Sequence, residues 1–167
     1  TDGSLQIALD AMKSALHSHS FLGISSEGKT AIVKTTGNSD VHIVLRGGNN
    51  GPNFSAADIA STEEKLEKAG LKTGIMVDCS HANSDKNHEK QAAVLADVIE
   101  QIVAGNKSIH SVMIESNLEA GNQPMADTLE ELKYGVSITD KCVDWETTEK
   151  MLREAHAKLK ANGGRKI

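Results

Sequence analysis

The sequence lacks any apolar run near the ~18 residues that a membrane-spanning helix needs. Its first residues, TDGSLQ, lack the basic and then apolar regions of a secretory signal. We therefore expect a cytoplasmic protein with no membrane as a partner. Cysteine is also scarce, since only Cys79 and Cys142 occur, and this excludes a disulfide scaffold. In a cytosolic protein both thiols are expected to be reduced.

Positive charge is in deficit. Lysine and arginine number 18 against 23 acidic residues, which gives a formal net charge of -5. This balance argues against nucleic acid as a partner, and an anionic substrate would need a local patch of arginine and lysine. Neither Gly47-Gly48 nor Gly163-Gly164 fits the GxGxxG or GxxxxGK[ST] patterns, so nucleotide-binding loops of those kinds are unsupported.

What the sequence does contain is a repeated alternation of strand and helix patterns. Apolar runs at 41–45, 74–79 and 109–114 are each followed by polar residues and then by a helical pattern, the last helix running from a cap at Asp144 to about residue 161. Ser55 with Asp58 resembles a capping box at the first of these helices. Alternating strands and helices predict an α/β fold with a parallel sheet.

A different pattern precedes these units. Residues 4–18 have the apolar spacing of an amphipathic helix, and two β-like runs at 20–24 and 30–36 predict a hairpin. We therefore interpret 1–167 as one partial domain, with a hairpin insertion at 18–38 and three βα units over 41–162. Three parallel strands leave two open edges, so the chain either assembles with something or belongs to a larger barrel.

Charged residues follow the predicted strands. Arg46 ends the first strand, His81 follows the second, Glu115 ends the third, and Asp140 lies in the loop before the last helix. In parallel α/β folds such positions share one rim. A histidine nitrogen and two carboxylates suit a divalent metal, although an ordinary hydrogen-bonded histidine and helix-capping carboxylates explain the same pattern. Arg46 with its two following glycines suits an anion held by guanidinium and backbone amides, or else a surface ion pair.

Other residues are interpreted more simply. Cys79 is expected to be a buried thiol and Trp145 a core residue, while Lys86 and Lys90 are expected on a solvated helix face.

Four sequence stretches carry a resemblance to a known family. HIVLRGG, IMVDCSHANSDK, VMIESNLEAGNQ and YGVSITDKCVDWE closely resemble the carboxy-terminal half of the class I 3-deoxy-D-arabino-heptulosonate-7-phosphate (DAHP) synthases. Members are (β/α)8 TIM barrels. The resemblance implies that this chain corresponds to the last helix of the fifth unit, a hairpin insertion, and units six to eight, with the first five strands absent.

The resemblance also implies an activity. The family condenses phosphoenolpyruvate with erythrose 4-phosphate, the first step of the shikimate route to aromatic amino acids, and uses a divalent metal ion such as Mn, Fe, Co or Zn. His81, Glu115 and Asp140 match three metal ligands, Arg46 matches a phosphoenolpyruvate-binding arginine, and Cys142 matches a cysteine near the metal that we do not assign as a ligand. The family's fourth ligand is a cysteine on the first barrel strand, outside this chain, so the chain alone is expected to be inactive.

The hairpin resembles the family's feedback site for an aromatic amino acid, with Phe21 at the matching position, although a simple edge-covering hairpin fits the pattern as well. The full-length protein is expected to be a homo-oligomer. Two other functions stay open. The chain could be a non-catalytic half-barrel regulatory or binding module that pairs with a full-length partner, or a stand-alone metal-dependent aldolase that closes its sheet by dimerisation.

Overall fold

The described residues form four helices and five strands, which follow one another in the order that the sequence predicts. The computed structural model describes residues 2–165. The elements are α1 (Leu5–Leu16), β1 (Ser20–Ile24), β2 (Thr30–Lys34), β3 (Ile43–Leu45), α2 (Ala56–Lys68), β4 (Ile75–Asp78), α3 (Gln91–Val103), β5 (Ile109–Met113) and α4 (Trp145–Ala161), with short 3-10 helices at His81–Ser84, His88–Lys90 and Leu129–Glu131.

Three of the strands form a parallel sheet in the order β3-β4-β5. Ile75 in the central strand pairs with Ile43 on one side and with Ile109 on the other, and the register with β5 shifts between Ile75 and Met76. The α/β class and the parallel pairing of the three strands are therefore confirmed. All three strands end towards the same edge, and this edge carries the polar residues described below.

One face of this sheet is covered by helices. Ile43, Leu45, Ile75 and Val77 are buried in the main core with apolar residues of all four helices. Val44, which points to the other face because side chains alternate along a strand, is exposed. Hydrophobic burial thus fixes which side of the sheet the helices occupy.

Side-chain caps define where two of the helices begin. Ser55 Oγ accepts a hydrogen bond from Asp58 N, and the Asp58 carboxylate accepts one from Ser55 N, which completes the predicted capping box of α2. Asp144 Oδ1 accepts from Thr147 N at 2.7 Å and caps α4, also as predicted. These contacts satisfy amide groups that a helix end otherwise leaves unpaired.

Three local predictions were wrong. The apolar pattern predicts a helix from about Asn87 to Ala104, but α3 begins at Gln91, because Asn87 accepts from Glu89 N and starts a 3-10 turn first. Strand β3 begins at Ile43 and not at residue 41, because its pairing with β4 starts where Ile43 N donates to the Gly74 carbonyl. Trp145 is 59% exposed and not in the core, since it starts α4 while Met151, further along, faces inward.

The hairpin is a separate two-stranded sheet. Strands β1 and β2 pair antiparallel from Ser20↔Lys34 to Ile24↔Thr30, as the sequence predicts. His19 anchors its base through a contact of 2.8 Å between its ring Nε2 and the Ser14 carbonyl of α1. Its apolar side chains are largely exposed, and Phe21 is 52% exposed.

None of the helices formed by residues 2–165 combines the length and the apolar character that crossing a bilayer requires.

Candidate metal centre

Three of the predicted rim residues converge on one point. His81 Nε2 lies 3.7 Å from Glu115 Oε1 and 3.6 Å from Asp140 Oδ2. Taking one ligand atom from each residue, all three atoms lie within 4.8 Å of one another. The residues come from the loops after β4 and β5 and from the loop before α4, so only the folded chain brings them together.

His81 is held by the backbone and by an acidic neighbour. Its backbone has a φ of 48°, in the left-handed region that residues other than glycine rarely adopt, and its carbonyl accepts from Lys86 N at 2.7 Å. Its ring Nδ1 lies 2.7 Å from Oδ2 of the buried Asp78, a close contact without the direction of a linear hydrogen bond. The second ring nitrogen, Nε2, is thereby left facing the two other candidate ligands.

Glu115 is fixed through both its side chain and its backbone. Ser80 Oγ donates to Glu115 Oε2 at 2.6 Å, so the other carboxylate oxygen, Oε1, is the one facing His81. The side-chain amide of Gln91 contacts the backbone of Glu115 at both its N–H and its carbonyl.

Asn83 ties neighbouring strand ends to each other. Its buried side-chain amide donates to the carbonyls of Leu45 at 2.9 Å and Asp78 at 2.8 Å, which end β3 and β4. Its Oδ1 accepts from Asn53 N at 2.8 Å. This explains why a buried asparagine sits two residues after His81, since one side chain aligns two strand ends and a third loop.

Asp140 is the most exposed of the three candidate ligands, with 66% of its side chain accessible. Its loop is held near the sheet because Val143 N donates to the Glu115 carbonyl at 2.9 Å, and Gly121 and Cys142 form an antiparallel bridge. Asp140 therefore lies on the open side of the rim, from which a metal ion or a substrate would enter.

A cavity of about 510 Å³ opens above the three residues, and Arg46, Lys86 and Lys141 also line it. Within residues 2–165, no carboxylate lies in ion-pair range of the Arg46 guanidinium, so the alternative of a surface ion pair is not what the structure has. The sequence interpretation missed Lys86, which lies on the wall of this cavity and not on a solvated helix face, because it belongs to the His81 loop that precedes α3.

Of the anion-site interpretation of Arg46, the part that assigns the following glycine amides to the anion is wrong. Gly47 N donates to Asn53 Oδ1 at 2.7 Å, and Gly48 N donates to the Gly51 carbonyl at 3.0 Å. Gly47 instead allows two loops to pack closely. It has a φ of 70°, and a Cβ at this position would lie 2.7 Å from Ala82 Cβ. The loop after β3 can therefore pack against the His81 loop only with glycine here.

The donor set fits a divalent cation. Two ligand atoms each about 2.1 Å from a tetrahedral metal lie about 3.4 Å apart, close to the 3.6 and 3.7 Å separations of His81 Nε2 from the carboxylates. One imidazole and two carboxylates suit borderline ions such as Zn, Mn, Fe or Co. Asp78 Oδ2, 2.7 Å from the other ring nitrogen, occupies the place of the carboxylate that commonly lies behind a metal-binding histidine.

Neither cysteine joins this group. Cys79 and Cys142 are free and buried. Burial, and secondly the charge of Asp78, raises the pKa of the Cys79 thiol to about 12. Burial also raises the pKa of Cys142, whose Sγ contacts the Asp140 carbonyl at 3.6 Å. Both thiols thus disfavour the thiolate form, which agrees with the expectation that Cys79 is a buried thiol.

Comparison with known proteins gives one consistent result. The sequence model of the DAHP synthetase I family matches residues 2–153. The Tyr-sensitive phospho-2-dehydro-3-deoxyheptonate aldolase of Escherichia coli is 50% identical over 159 residues, covering 95% of this chain and 44% of that protein. The Phe-sensitive enzyme of E. coli is 48% identical over 164 residues, covering 98% and 46%.

A solved structure agrees with the sequence relatives. That of phospho-2-dehydro-3-deoxyheptonate aldolase from Francisella tularensis matches with a TM-score of 0.89 and 49% identity, and covers 97% of this chain and 47% of its own. The chain thus spans about half the length of the relatives it matches. On the match of nearly its whole length, the chain belongs to the DAHP synthetase I family.

Proposed function

We propose that this chain is the carboxy-terminal part of a DAHP synthase, which condenses phosphoenolpyruvate with erythrose 4-phosphate in the first step of the shikimate pathway. In this proposal the complete protein is a (β/α)8 barrel, and residues 41–162 are its last three βα units. The observation that carries it is the convergence of His81, Glu115 and Asp140 in a cavity lined by cations. The rim at the carboxyl ends of the strands is where barrel enzymes have their active sites.

His81, Glu115 and Asp140 would hold a divalent metal ion, Mn, Fe, Co or Zn. Such an ion, when bound, supplies Lewis acidity towards the aldehyde oxygen of erythrose 4-phosphate. The exposed Asp140 is the ligand closest to open solvent, so it can also orient a hydroxyl of the sugar phosphate. Glu115, held by Ser80, keeps a fixed position as substrates enter.

Arg46 would bind phosphoenolpyruvate. Its guanidinium has no carboxylate partner within residues 2–165 and lines the same cavity as His81. A guanidinium fork matches the paired oxygens of a carboxylate or phosphate. Lys86 and Lys141 add positive charge to the wall, which offsets the chain's overall negative charge near the anionic substrates.

The test uses metal binding first and catalysis second. The purified 167-residue chain is titrated with Co²⁺ and Mn²⁺, together with the variants His81→Ala, Glu115→Ala and Asp140→Ala. The control is Asp127→Ala, which removes a carboxylate that also lies between β5 and α4 but is not part of the metal group. We expect each of the first three variants to weaken binding and Asp127→Ala to leave it unchanged. Equal affinity in all variants would reject the metal centre.

Catalysis is tested in a hybrid enzyme in which this chain replaces the matching segment of the Tyr-sensitive E. coli enzyme. We expect heptulosonate-phosphate synthesis, and we expect Arg46→Ala to raise KM for phosphoenolpyruvate roughly 10- to 150-fold, because a hydrogen bond to a charged group contributes about 1.5 to 3 kcal/mol. Normal KM in Arg46→Ala would show that Arg46 does not bind this substrate. An inactive hybrid that still folds and binds metal would favour the non-catalytic half-barrel module.

We also propose that the hairpin at 18–38 binds an aromatic amino acid effector or a neighbouring subunit of a cytoplasmic homo-oligomer. Phe21, Leu22 and Ile32 are exposed apolar residues on a small separate sheet, and such surfaces commonly mark interaction sites. The hairpin follows α1 and leads into the amino end of β3, whereas the rim cavity lies at the carboxyl ends of the strands.

A further inference from the structure

The fully buried side chain of Gln91 makes a two-point contact with the backbone of Glu115. Gln91 is the first residue of α3, and none of its surface is exposed. Its Oε1 accepts from Glu115 N at 2.8 Å, and its Nε2 donates to the Glu115 carbonyl at 3.1 Å. A side-chain amide thus pairs with one residue of the loop as a neighbouring strand would.

This contact acts at the point where β5 has ended. Strand β5 stops at Met113, so the backbone of Glu115 lies beyond the last pair of the ladder with β4. Without Gln91, the part-buried N–H of Glu115 would lack this partner, and an amide without a partner away from water is destabilising. The Glu115 carbonyl has two donors, Val143 N and Gln91 Nε2. For the Glu115 N–H, Gln91 Oε1 is the sole acceptor among residues 2–165.

From these contacts we propose that Gln91 is a positioning residue for the metal centre: by fixing the backbone of Glu115, it sets the carboxylate at the distance from His81 that a divalent cation requires. This inference rests on the proposed metal role of His81, Glu115 and Asp140. Gln91 itself does not line the cavity, and its side-chain hydrogen bonds go to the backbone of Glu115.

The contact complements the one made by Ser80. Ser80 orients the Glu115 carboxylate by donating to Oε2, while Gln91 fixes the main chain from which that carboxylate projects. Positioning groups behind metal ligands typically change affinity 10- to 100-fold when removed. The loss of Gln91 should therefore appear in metal affinity and in coordination geometry even where the fold survives.

The experiment measures Co²⁺ alone, bound to the full 167-residue chain, by its visible absorption spectrum and by calorimetric titration. Gln91→Ala removes the amide and leaves a cavity, whereas Gln91→Met keeps nearly the same volume without the hydrogen bonds. Gln101→Ala is the matched control, because Gln101 also lies on α3 and donates to a backbone carbonyl, that of Phe54 at 2.8 Å, away from the site.

We expect Gln91→Ala and Gln91→Met to weaken Co²⁺ binding roughly 10- to 100-fold, to alter the absorption spectrum, and to accelerate hydrogen exchange at the Glu115 amide. Gln101→Ala should change none of these. A folded Gln91→Met variant with unchanged affinity and spectrum would overturn the inference while the metal centre stands, and so would failure of both Gln91 variants to fold. If the unaltered chain binds no Co²⁺ at millimolar concentration, the metal centre fails and this inference fails with it.

Discussion

At the scale of single residues, the site depends on buried polar groups that hold the ligands rather than on the ligands alone. Asp78, Asn83 and Gln91 are all buried, and each makes its contacts with strand ends or with a candidate ligand. Such groups are costly to bury unless every partner is in place. The rim therefore forms only when the neighbouring strands and loops are correctly aligned.

Asp78→Asn should weaken metal binding while the chain still folds. The carboxylate lies 2.7 Å from His81 Nδ1, and replacing it by an amide of the same shape removes the negative charge that favours metal at the other ring nitrogen. We expect Kd for Mn²⁺ or Co²⁺ to rise roughly 10-fold or more by calorimetric titration. Asp85→Asn, which only removes an exposed ion pair with Lys90, is the control and should bind as the unaltered chain does. Equal affinities would contradict the role of Asp78.

Cys79 should resist alkylation in the folded chain. Its pKa is raised to about 12, so the reactive thiolate is rare at pH 8 to 9. Because the pKa of Cys79 is higher in the folded chain, folding favours the protonated thiol. This contribution to stability is fully present below the ordinary thiol pKa of 9.0 and is lost as pH rises towards 12. Mass spectrometry after iodoacetamide at pH 8.5 should find Cys79 unmodified until urea is added. Rapid modification without urea would contradict this.

At the scale of elements, the ends of helices and strands are set by local chemistry. The capping box of α2 and the cap of α4 were readable from the sequence because they need only residues close along the chain. The starts of α3 and β3 depend on a 3-10 turn and on a partner strand, and neither is visible in the apolar pattern.

Ser55→Ala should lower the free energy of unfolding by about 1 kcal/mol, because it removes the side-chain oxygen that accepts from Asp58 N at the first turn of α2. Urea unfolding followed by circular dichroism measures the change. Ser61→Ala, within the same helix and exposed, is the control and should have a smaller effect. A loss in Ser61→Ala as large as in Ser55→Ala would argue against the cap.

Phe21→Ala in the hybrid enzyme should abolish inhibition by phenylalanine or tyrosine and leave turnover nearly intact. Phe21 lies on β1 and is absent from the cavity that contains His81. Steady-state assays with and without each amino acid measure the effect, and Glu27→Ala, in the exposed turn of the same hairpin and outside its apolar surface, is the control. Full feedback sensitivity in Phe21→Ala, or a loss of metal binding, would place the hairpin's role elsewhere.

At the scale of the whole molecule, the sheet has two open edges and one uncovered face. Strands β3 and β5 each lack an outer neighbour within residues 2–165, and Val44 is exposed on the uncovered face. A barrel would close both edges and bury that face. This is consistent with a chain that spans about half the length of its relatives.

The 167-residue chain alone should show no measurable synthase activity, even when the proposed metal ion is supplied. It supplies three candidate metal ligands and Arg46, and each missing charge-stabilising contact costs roughly 10² to 10³ in rate. An assay of phosphoenolpyruvate consumption with erythrose 4-phosphate and Mn²⁺ measures this, with the hybrid enzyme as the positive control. Normal turnover by the isolated chain would favour a stand-alone aldolase that closes its sheet by dimerisation.

The sequence by itself determined the order of the elements, the parallel sheet, the two helix caps and the identity of the four rim residues. Each follows from a pattern of neighbouring residues, or from motifs such as SHANS that few families share. The motifs also sufficed to identify the family, which the match over residues 2–153 confirms.

Only the tertiary structure decided which supporting residues matter. Gln91 reaches Glu115 across 24 positions, Asn83 reaches Leu45 across 38, and Lys86 reaches the cavity wall through a loop that looks like the start of a helix. The glycine amides beside Arg46 donate hydrogen bonds to Asn53 and Gly51, and no local sequence pattern shows this. The physical reason is that a hydrogen bond between distant segments depends on where the packed core places them, and the packing is a property of the whole chain.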